Sequence, residues 1–386
     1  MKKEILLLLS IIAITLTAGF AQGIENLRYG TDTTFEVATW NIEHFPKNGS
    51  TTISNVATIV ENLDVDFLAL QEIDDEASFN QLVENLTDYS GLYRGYTYSG
   101  MAFLFKTDLV TVNNHTTILN GYSRELPRAP FVADITVRGQ DYFIINNHYK
   151  CCGDGTLDEN ESWDEEKRRY DASVLLKNYI DNYQSDKNVI LLGDLNDELL
   201  DDEENNVFQP FYDDPANYLF TDIEIAEGSS SDWSYPSWPS HLDHIMVTNE
   251  IFSLFNNQYP DVQTIKPGDY MGGFDVYDNN VSDHRPIAIR LPLATDDNGI
   301  FSTSQHTSIS IFPNPAQTTA TIQCSDLNAG DVLSVYSTQG VLIEQHELQT
   351  GRVQTKLNLD EYQPGVYFIQ ISGEQKAGTQ RLIITK

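Results

Sequence analysis

Six apolar runs in this chain each carry a polar side chain at one end, and that regularity limits the fold more than any other feature. FEVATWN ends at Asn41, DFLALQE at Glu72, YFIINNH at His148, and VILLGDLN at Asp194 and Asn196. LDHIMV begins beside Asp243, and the pair Asp283-His284 opens the run RPIAIRL. Short apolar runs rich in Val, Ile and Phe read as buried strands. Residues two apart on a strand share a face, so Asp194 and Asn196 can point into one pocket. Six strands delivering polar groups to a common edge predict a layered α/β protein whose chemistry lies at that edge. Polar residues scattered over a surface would not keep such a register.

Between the runs the spacing changes from two to between three and four. Residues 51–63 place Ile53, Val56, Ile59, Val60 and Leu63 on one helical face, and 77–87 form a second helix. Residues 164–183 predict a charged amphipathic helix with Tyr170, Val174, Leu175, Tyr179 and Ile180 inward. Short β-rich runs at 101–119, 130–137 and 141–147 make hairpin-like pairs. These point to mixed sheets layered with helices rather than to a purely parallel sheet. Residues 294–304 are polar, small and aperiodic, as in a linker. Beyond them seven short strand-like runs separated by Gly, Asn and Pro predict a small all-β sandwich over 305–386.

Residues 1–21 read as a cleaved export signal: Lys2 and Lys3, an apolar run from Ile5 to about Leu16, then small residues around Ala21. The run falls short of the ~18 residues expected of a membrane span, and no later stretch is long enough. The formal net charge is −34. The leader contributes +1 and residues 304–386 contribute −2, which leaves −33 on residues 22–303. Such a surface repels polyanions at long range and argues against a module that grips nucleic acid through clustered Lys and Arg. It does not exclude an enzyme whose positive charge is local. Three cysteines cannot form a disulfide framework. Cys151 and Cys152 are adjacent, with Cα atoms about 3.8 Å apart against a usual disulfide range of about 4.4–6.8 Å. The sequence leaves open whether that pair is oxidised or free.

Asn41, Glu72, Asp194, Asn196 and Asp283 offer carboxylate and carbonyl oxygens, the hard ligands suited to Mg²⁺, Mn²⁺ or Ca²⁺ rather than zinc. His148 and His284 add groups that titrate near neutrality. This mix fits in-line attack of water on a phosphorus ester assisted by a divalent ion. Taken singly the motifs are weak: GDLN is a common turn, a buried His148 is commonly a core residue, and Glu72 could cap the following helix. SDHRP is more specific, and the ordered set more so again.

That ordered set resembles the endonuclease/exonuclease/phosphatase superfamily over residues 33–293. The matching motifs are Trp40-Asn41-Ile42, Gln71-Glu72, the NNH ending at His148, Gly193–Asn196, LDHI around Asp243 and Ser282–His284. Arg128 in PRAPFVADI resembles the family's phosphate-contacting arginine. The resemblance implies a four-layer α/β sandwich with two facing mixed sheets and the site at one edge. It implies that Glu72, with Asn41 and Asp283, holds the principal ion, Mg²⁺ or Mn²⁺. Asp194 and Asn196 would orient the attacking water or a second ion and contact the scissile phosphate. It further implies that His284, bonded to Asp243, acts as base or electrostatic stabiliser, and that His148 binds phosphate or assists the leaving group. No particular carboxylate in the sequence is identified as the one that would orient His148. The expected activity is a secreted metal-dependent phosphodiesterase, a nuclease on DNA or RNA. A phosphatase or sphingomyelinase-like phospholipase C, or an inactive binding protein on the same fold, are the alternatives. The aromatic segment Trp233–Trp238 could stack bases, meet lipid headgroups or pack on the sandwich.

Two further segments carry signals. GDGTLDENE, after His148, spaces Asp154, Asp158 and Glu161 like a structural calcium loop without a full EF-hand pattern. IFPNPA at 311–316 and LDEYQPGVYFIQI at 359–371 resemble the sorting domain of type IX secretion substrates. That likeness implies an export machinery as partner and a location outside the cell or on its outer surface.

Overall fold

The computed structural model describes residues 23–97, 99–255, 260–293, 309–327, 330–337, 342–348, 351–360, 362–373 and 376–385. The expected leader (1–21) and linker (294–304) lie outside them. Twelve strands in residues 34–292 form two six-stranded sheets. The first, in spatial order β11-β12-β1-β2-β4-β3, comprises β1 (Thr34–Phe45), β2 (Phe67–Ile73), β3 (Tyr89–Arg94), β4 (Gly100–Lys106), β11 (Asp261–Thr264) and β12 (Ile287–Pro292). The second, in order β5-β6-β7-β8-β10-β9, comprises β5 (Val110–Thr117), β6 (Phe131–Val137), β7 (Gln140–His148), β8 (Val189–Asp194), β9 (Tyr218–Phe220) and β10 (Asp243–Thr248).

Each sheet has one parallel pair at its heart, β1 with β2 and β7 with β8; the other pairings are antiparallel. A parallel pair needs a long crossover, supplied by helix α1 (Ser50–Leu63) in the first sheet and α3 (Glu165–Tyr183) in the second, while α2 (Glu76–Asn85) joins β2 to β3. Asp75 caps α2 by accepting the Ser78 N–H at 2.8 Å, which leaves Glu72 free of that duty.

Side-chain parity builds the layers. On β1, Ala38, Trp40 and Ile42 face the α1 layer with Ile53, Val56, Ile59, Val60 and Leu63, whereas Phe35 and Val37 face the other sheet. On β7, β8 and β10 the pairs Tyr142/Ile144, Ile190/Leu192 and Ile245/Val247 face inward between the sheets. Val189, Leu191 and Met246 face α3 with Ala172, Leu176 and Ile180. The result is helix, sheet, sheet, helix, with three apolar cores. The expected inward face of α3 is partly corrected. Ile180 is buried, but Tyr170, Val174, Leu175 and Tyr179 are only half-buried, and Glu166, Arg168, Arg169, Ala172, Ser173 and Leu176 lie deeper. The charged residues are drawn in by partners: Arg169 Nε donates to Asp197 Oδ2 at 2.7 Å, and a paired charge can be buried where a lone one cannot.

The tail forms a three-stranded and a four-stranded sheet from seven strands between Ile309 and Ile384. Their inner faces share one core including Ile322, Leu357, Leu333, Val335, Ile369 and Leu382, as expected of a sandwich.

Candidate active site

Extending the parity of the inter-sheet core by one step places the polar residues. After Phe35 and Val37 on β1 come Thr39 and Asn41; after Tyr142 and Ile144 on β7 come Asn146 and His148. After Ile190 and Leu192 comes Asp194, and before Ile245 comes Asp243. The barrier between core and site is a polar layer. Gln71 Nε2 donates to Asn146 Oδ1 across the sheets at 2.8 Å, and Asn146 Nδ2 donates to the Leu70 and Ala102 carbonyls at 3.1 Å each. In the ladders His148 pairs with Asp194, and Asp194 with Asp243. The ends of the central parallel strands and the start of their antiparallel neighbour therefore coincide, the place where α/β sheets bind ligands.

Glu72 reaches the site by a different device. Leu68 and Leu70 face α1, so strict alternation would aim Glu72 at the helices as well. The ladders to both neighbouring strands slip here, between Gln71 and Ile73 toward β4 and between Asn41 and Phe45 in β1. Glu72 takes φ 61°, and Glu43 and His44 are also at positive φ. A bulge of this kind re-aims a side chain. It turns Glu72 to the inter-sheet edge, where its Oε1 accepts Asn41 Nδ2 at 3.1 Å and its Oε2 accepts the His44 N–H at 3.2 Å.

Asn41 is a bracket between two carboxylates. Its Nδ2 also donates to Asp194 Oδ2 at 2.9 Å, while its Oδ1 accepts the Glu43 N–H at 3.0 Å. The oxygen expected to face a cation is thus engaged with backbone. His148 Nε2 stands 3.5 Å from Asp194 Oδ2 and 3.7 Å from Glu72 Oε1. Burial, with the positive charges of Arg128 and His284 nearby, pushes the His148 imidazole well below its ordinary range, so it is neutral. Its buried Nδ1 has no hydrogen-bond partner among the described residues. Arg128 lies alongside, with Nη2 donating to the Tyr149 carbonyl at 3.0 Å and Nε to that of His148 at 3.3 Å. Asn196, at φ 53°, donates its backbone N–H to Asp194 Oδ1 at 3.1 Å and directs Nδ2 at the Tyr149 carbonyl, 3.4 Å away.

On the opposite wall His284 Nδ1 bonds Asp243 Oδ2 at 2.7 Å, and its Nε2 lies 3.9 Å from Asp194 Oδ2 and 4.0 Å from Asp283 Oδ1. Burial opposes its charge, but Asp243 and then Asp194 outweigh it and raise the imidazole to about 10. Burial raises Asp194 to about 7, against the pull of His284, and raises Asp283 to about 6. The loop holding His284 is tied from several sides. Ser282 Oγ donates to the Asn41 carbonyl at 2.7 Å and accepts the His284 N–H at 3.0 Å, and Tyr277 donates to the His284 carbonyl at 2.6 Å. Ser234 Oγ accepts the Asp243 N–H at 3.1 Å, and the Tyr235 ring lies 4.7 Å from that of His284. The aromatic segment 233–238 is therefore part of the site wall at Tyr235, whereas Trp238 is 77% exposed.

All the sequence-predicted residues meet at this edge, and the acidic set fits a hard divalent cation. Glu72, His148 and Asp194 hold ligand atoms within 4.8 Å of one another. Asp243 Oδ1 and Asp283 Oδ1 are buried without a hydrogen-bond partner among the described residues. The carboxylates of Glu72, Asp194, Asp243 and Asp283 outnumber the cations beside them, His284 and Arg128. The expected calcium loop is different. Asp154, Asp158 and Glu161 each fold back on local backbone, accepting the N–H groups of Thr156, Asn160 and Trp163. Among the described residues they do not converge; the acidic group that does is Asp164, Glu165 and Glu166 at the start of α3.

One buried cluster had no signal in the sequence. Asp222 Oδ2 meets His244 Nδ1 at 2.6 Å and His241 Nε2 at 2.9 Å, and all three side chains are fully buried. His244 Nε2 lies 2.9 Å from the Asp197 carbonyl. Both His244 nitrogens thus face acceptors, so the ring carries both protons. His241 Nδ1 accepts the Ser234 N–H at 3.3 Å and its Nε2 donates to Asp222. The cluster underpins Asp243 and the turn after Asp194 from the helix side of the sheet.

No curated protein sequence matches the chain. Among solved structures it is similar to D. rerio TDP2 complexed with single strand DNA product, at 14% identity and TM-score 0.50, covering 68% of this chain and 100% of that one. It is also similar to the human Nocturnin catalytic domain, at 17% identity and TM-score 0.47, covering 68% and 94%. A third is a mannosyl-6-phosphatase from Bacteroides thetaiotaomicron, at 13% identity and TM-score 0.47, covering 67% and 100%. The first of these shows a shared fold. Residues 310–385 match the model of a secretion system C-terminal sorting domain, which marks the chain for type IX secretion to the outer surface or the extracellular space. No helix among the described residues is long and apolar enough to cross a membrane. Residues 38–284, which span every site residue from Asn41 to His284, match the Endonuclease/Exonuclease/phosphatase family model, and the chain belongs to that family.

Proposed function

We propose that the protein is an exported, divalent-metal-dependent phosphodiesterase that hydrolyses DNA or RNA. The observation that carries this reading is the meeting of Asp194 and Asp243 from the second sheet with Glu72, Asp283 and His284 from the first, Asn41 joining Glu72 to Asp194 and His284 reaching Asp243 and Asp194 across the seam. Glu72, Asp194 and Asp283 would hold the ion, Mg²⁺ or Mn²⁺, with Asn41 fixing the first two by one amide. Such an ion neutralises charge on the phosphate and lowers the pKa of a bound water. Arg128, with two of its nitrogens on the wall, presents the rest of its guanidinium to a phosphate oxygen. Asn196 offers its amide to the same group. Asp194 orients the attacking water and accepts its proton. His284, held charged by Asp243, stabilises the negative charge that builds on the phosphoryl oxygens. Neutral His148 donates from Nε2 toward the leaving oxygen.

The test is hydrolysis of plasmid DNA, total RNA, sphingomyelin and bis-p-nitrophenyl phosphate by the full chain in EDTA, Mg²⁺ or Mn²⁺. Nucleic-acid cleavage should require the metal and fall roughly 10²–10⁴-fold in His284→Gln. Cleavage that persists in EDTA, or is undiminished in that variant, would refute the mechanism.

A second reading, a phosphatase or phospholipase C with a small or lipid substrate, is favoured by the −33 charge on residues 22–303, which repels a long polyanion. Activity on the ester or lipid alone would establish it. On either reading nucleic acid should bind weakly without metal, and a tight complex in EDTA would contradict both.

A further inference from the structure

We propose that Cys151 and Cys152 close into a vicinal disulfide once the chain is exported, forming a covalent ring on the rim of the site. The two sulfurs are 2.8 Å apart and both side chains are exposed, within reach of a soluble oxidant.

The turn that brings them together is built from beneath. Cys152 has φ 72°, a conformation unusual for a residue with a side chain. Arg169, 3% exposed, donates through Nη1 to the carbonyls of Lys150 at 2.8 Å and Cys152 at 2.6 Å, one on each side of Cys151. Arg169 is itself fixed by Asp197 at 2.7 Å and Glu166 at 3.2 Å. Glu166 in turn accepts the Gly155 N–H at 2.7 Å, and a Cβ on Gly153 would lie 2.1 Å from its Oε1. Both ends of Cys151–Gly155 thus rest on one buried ion pair. The buried charges beneath the turn are paired with one another, so the turn is held without an uncompensated ion, and the shape that it holds is the one that joins two thiols.

The chemistry balances with a small-molecule disulfide as oxidant. One cysteine, as thiolate, attacks the disulfide and releases one small thiol, leaving a mixed disulfide. The neighbouring cysteine loses its proton, attacks that bond and releases the second small thiol. One S–S bond forms in the protein, two S–H bonds are lost, and two electrons pass to the oxidant. Export takes the chain to where disulfides persist. The short Cα separation strains the ring, so it stays reducible. Tyr149, two residues before Cys151, offers the carbonyl that accepts from Arg128 and Asn196, so the ring stiffens a wall of the site.

The experiment uses the full chain incubated with oxidised glutathione, denatured, treated with iodoacetamide and digested with trypsin. The peptide covering residues 151–167 is expected unalkylated and lighter than the dithiol by two hydrogen atoms, taking two alkyl groups only after reduction. Two alkyl groups without reduction, retained glutathione, or a cross-link to the Cys324 peptide would each overturn the proposal. In Cys152→Ser the remaining Cys151 is expected to retain one glutathione. Its absence there would overturn the proposed exchange route. None of these readouts depends on catalytic activity.

Discussion

In EDTA at pH 7.5, Asp194→Asn is expected to be more stable than the parent protein, by on the order of 2–3 kcal/mol, while its metal-supported hydrolysis falls roughly 10²–10⁴-fold. Asp194 is 2% exposed, and burial raises its carboxyl from 3.8 to about 7. Between about pH 4 and 7 the folded chain therefore keeps a proton that the unfolded chain has released. Stability falls as pH rises through that window, and the full penalty is present above it. Three pKa units correspond to on the order of 4 kcal/mol. Asparagine escapes the penalty and keeps an acceptor for the Asn196 N–H. It loses the bond from Asn41 Nδ2, worth about 1 kcal/mol. The difference between the two proteins should be small or reversed near pH 4 and grow to its full value by pH 7. Urea midpoints across that range measure it. Divalent ion should reverse the order, since a ligand at a hundred times its Kd stabilises the parent by about 2.7 kcal/mol. A variant less stable than the parent at pH 7.5 without metal would show that Asp194 is not under electrostatic stress.

Asp222→Ala is expected to destabilise the protein by about 3–5 kcal/mol, a fall of roughly 10 °C in Tm for a domain of this size. Asp222 accepts from His241, His244 and the Ile245 N–H, all out of contact with water. Without it the doubly protonated His244 loses its nearest counter-charge and keeps only the more distant Asp243. Burial opposes the charge on His244, yet Asp222 holds its pKa above the ordinary value. That stabilisation is complete below about pH 6.5 and is lost as pH rises through the raised value. Burial likewise opposes the Asp222 carboxylate, but His244 and His241 hold its pKa below the ordinary range. Its share is present above about pH 4 and disappears as pH falls through the lowered value. The gap between parent and variant should be widest in the interval from about pH 4 to 6.5 and narrow on the alkaline side. Thermal melts across that range would show it, and a flat gap would remove His244 from the account.

The strands were legible because a two-residue period is local. Parity along FEVATWN, YFIINNH, VILLGDLN and LDHIMV places Asn41, His148, Asp194 and Asp243 on one face without reference to any partner. Glu72 was found by its position after a strand, although parity alone would have sent it to the helices; the bulge that rescues it depends on slippage against two neighbours. The α3 face was misjudged for a related reason. Arg169 is buried because Asp197, 28 residues along the chain, is there to meet it. Asp222 carries no local mark either, since its histidines arrive 19 and 22 residues later. The loop at 154–161 is the converse case: its acidic spacing suits a cation, and in the structure each carboxylate accepts a backbone N–H of its own turn.

Asp283 and His284 enter just before β12, which pairs with β1, the first strand of the same sheet. The opposite wall comes from the middle of the chain. In chain order Asp283 and His284 are therefore the last of the site residues, and the strand that fixes them closes onto the first. Until β12 docks, a partly folded molecule has carboxylates but no His284 to face them. The site is thus closed by the pairing of the first strand of the domain with its last, so that the polar edge and the sheet seam are completed by the same contact.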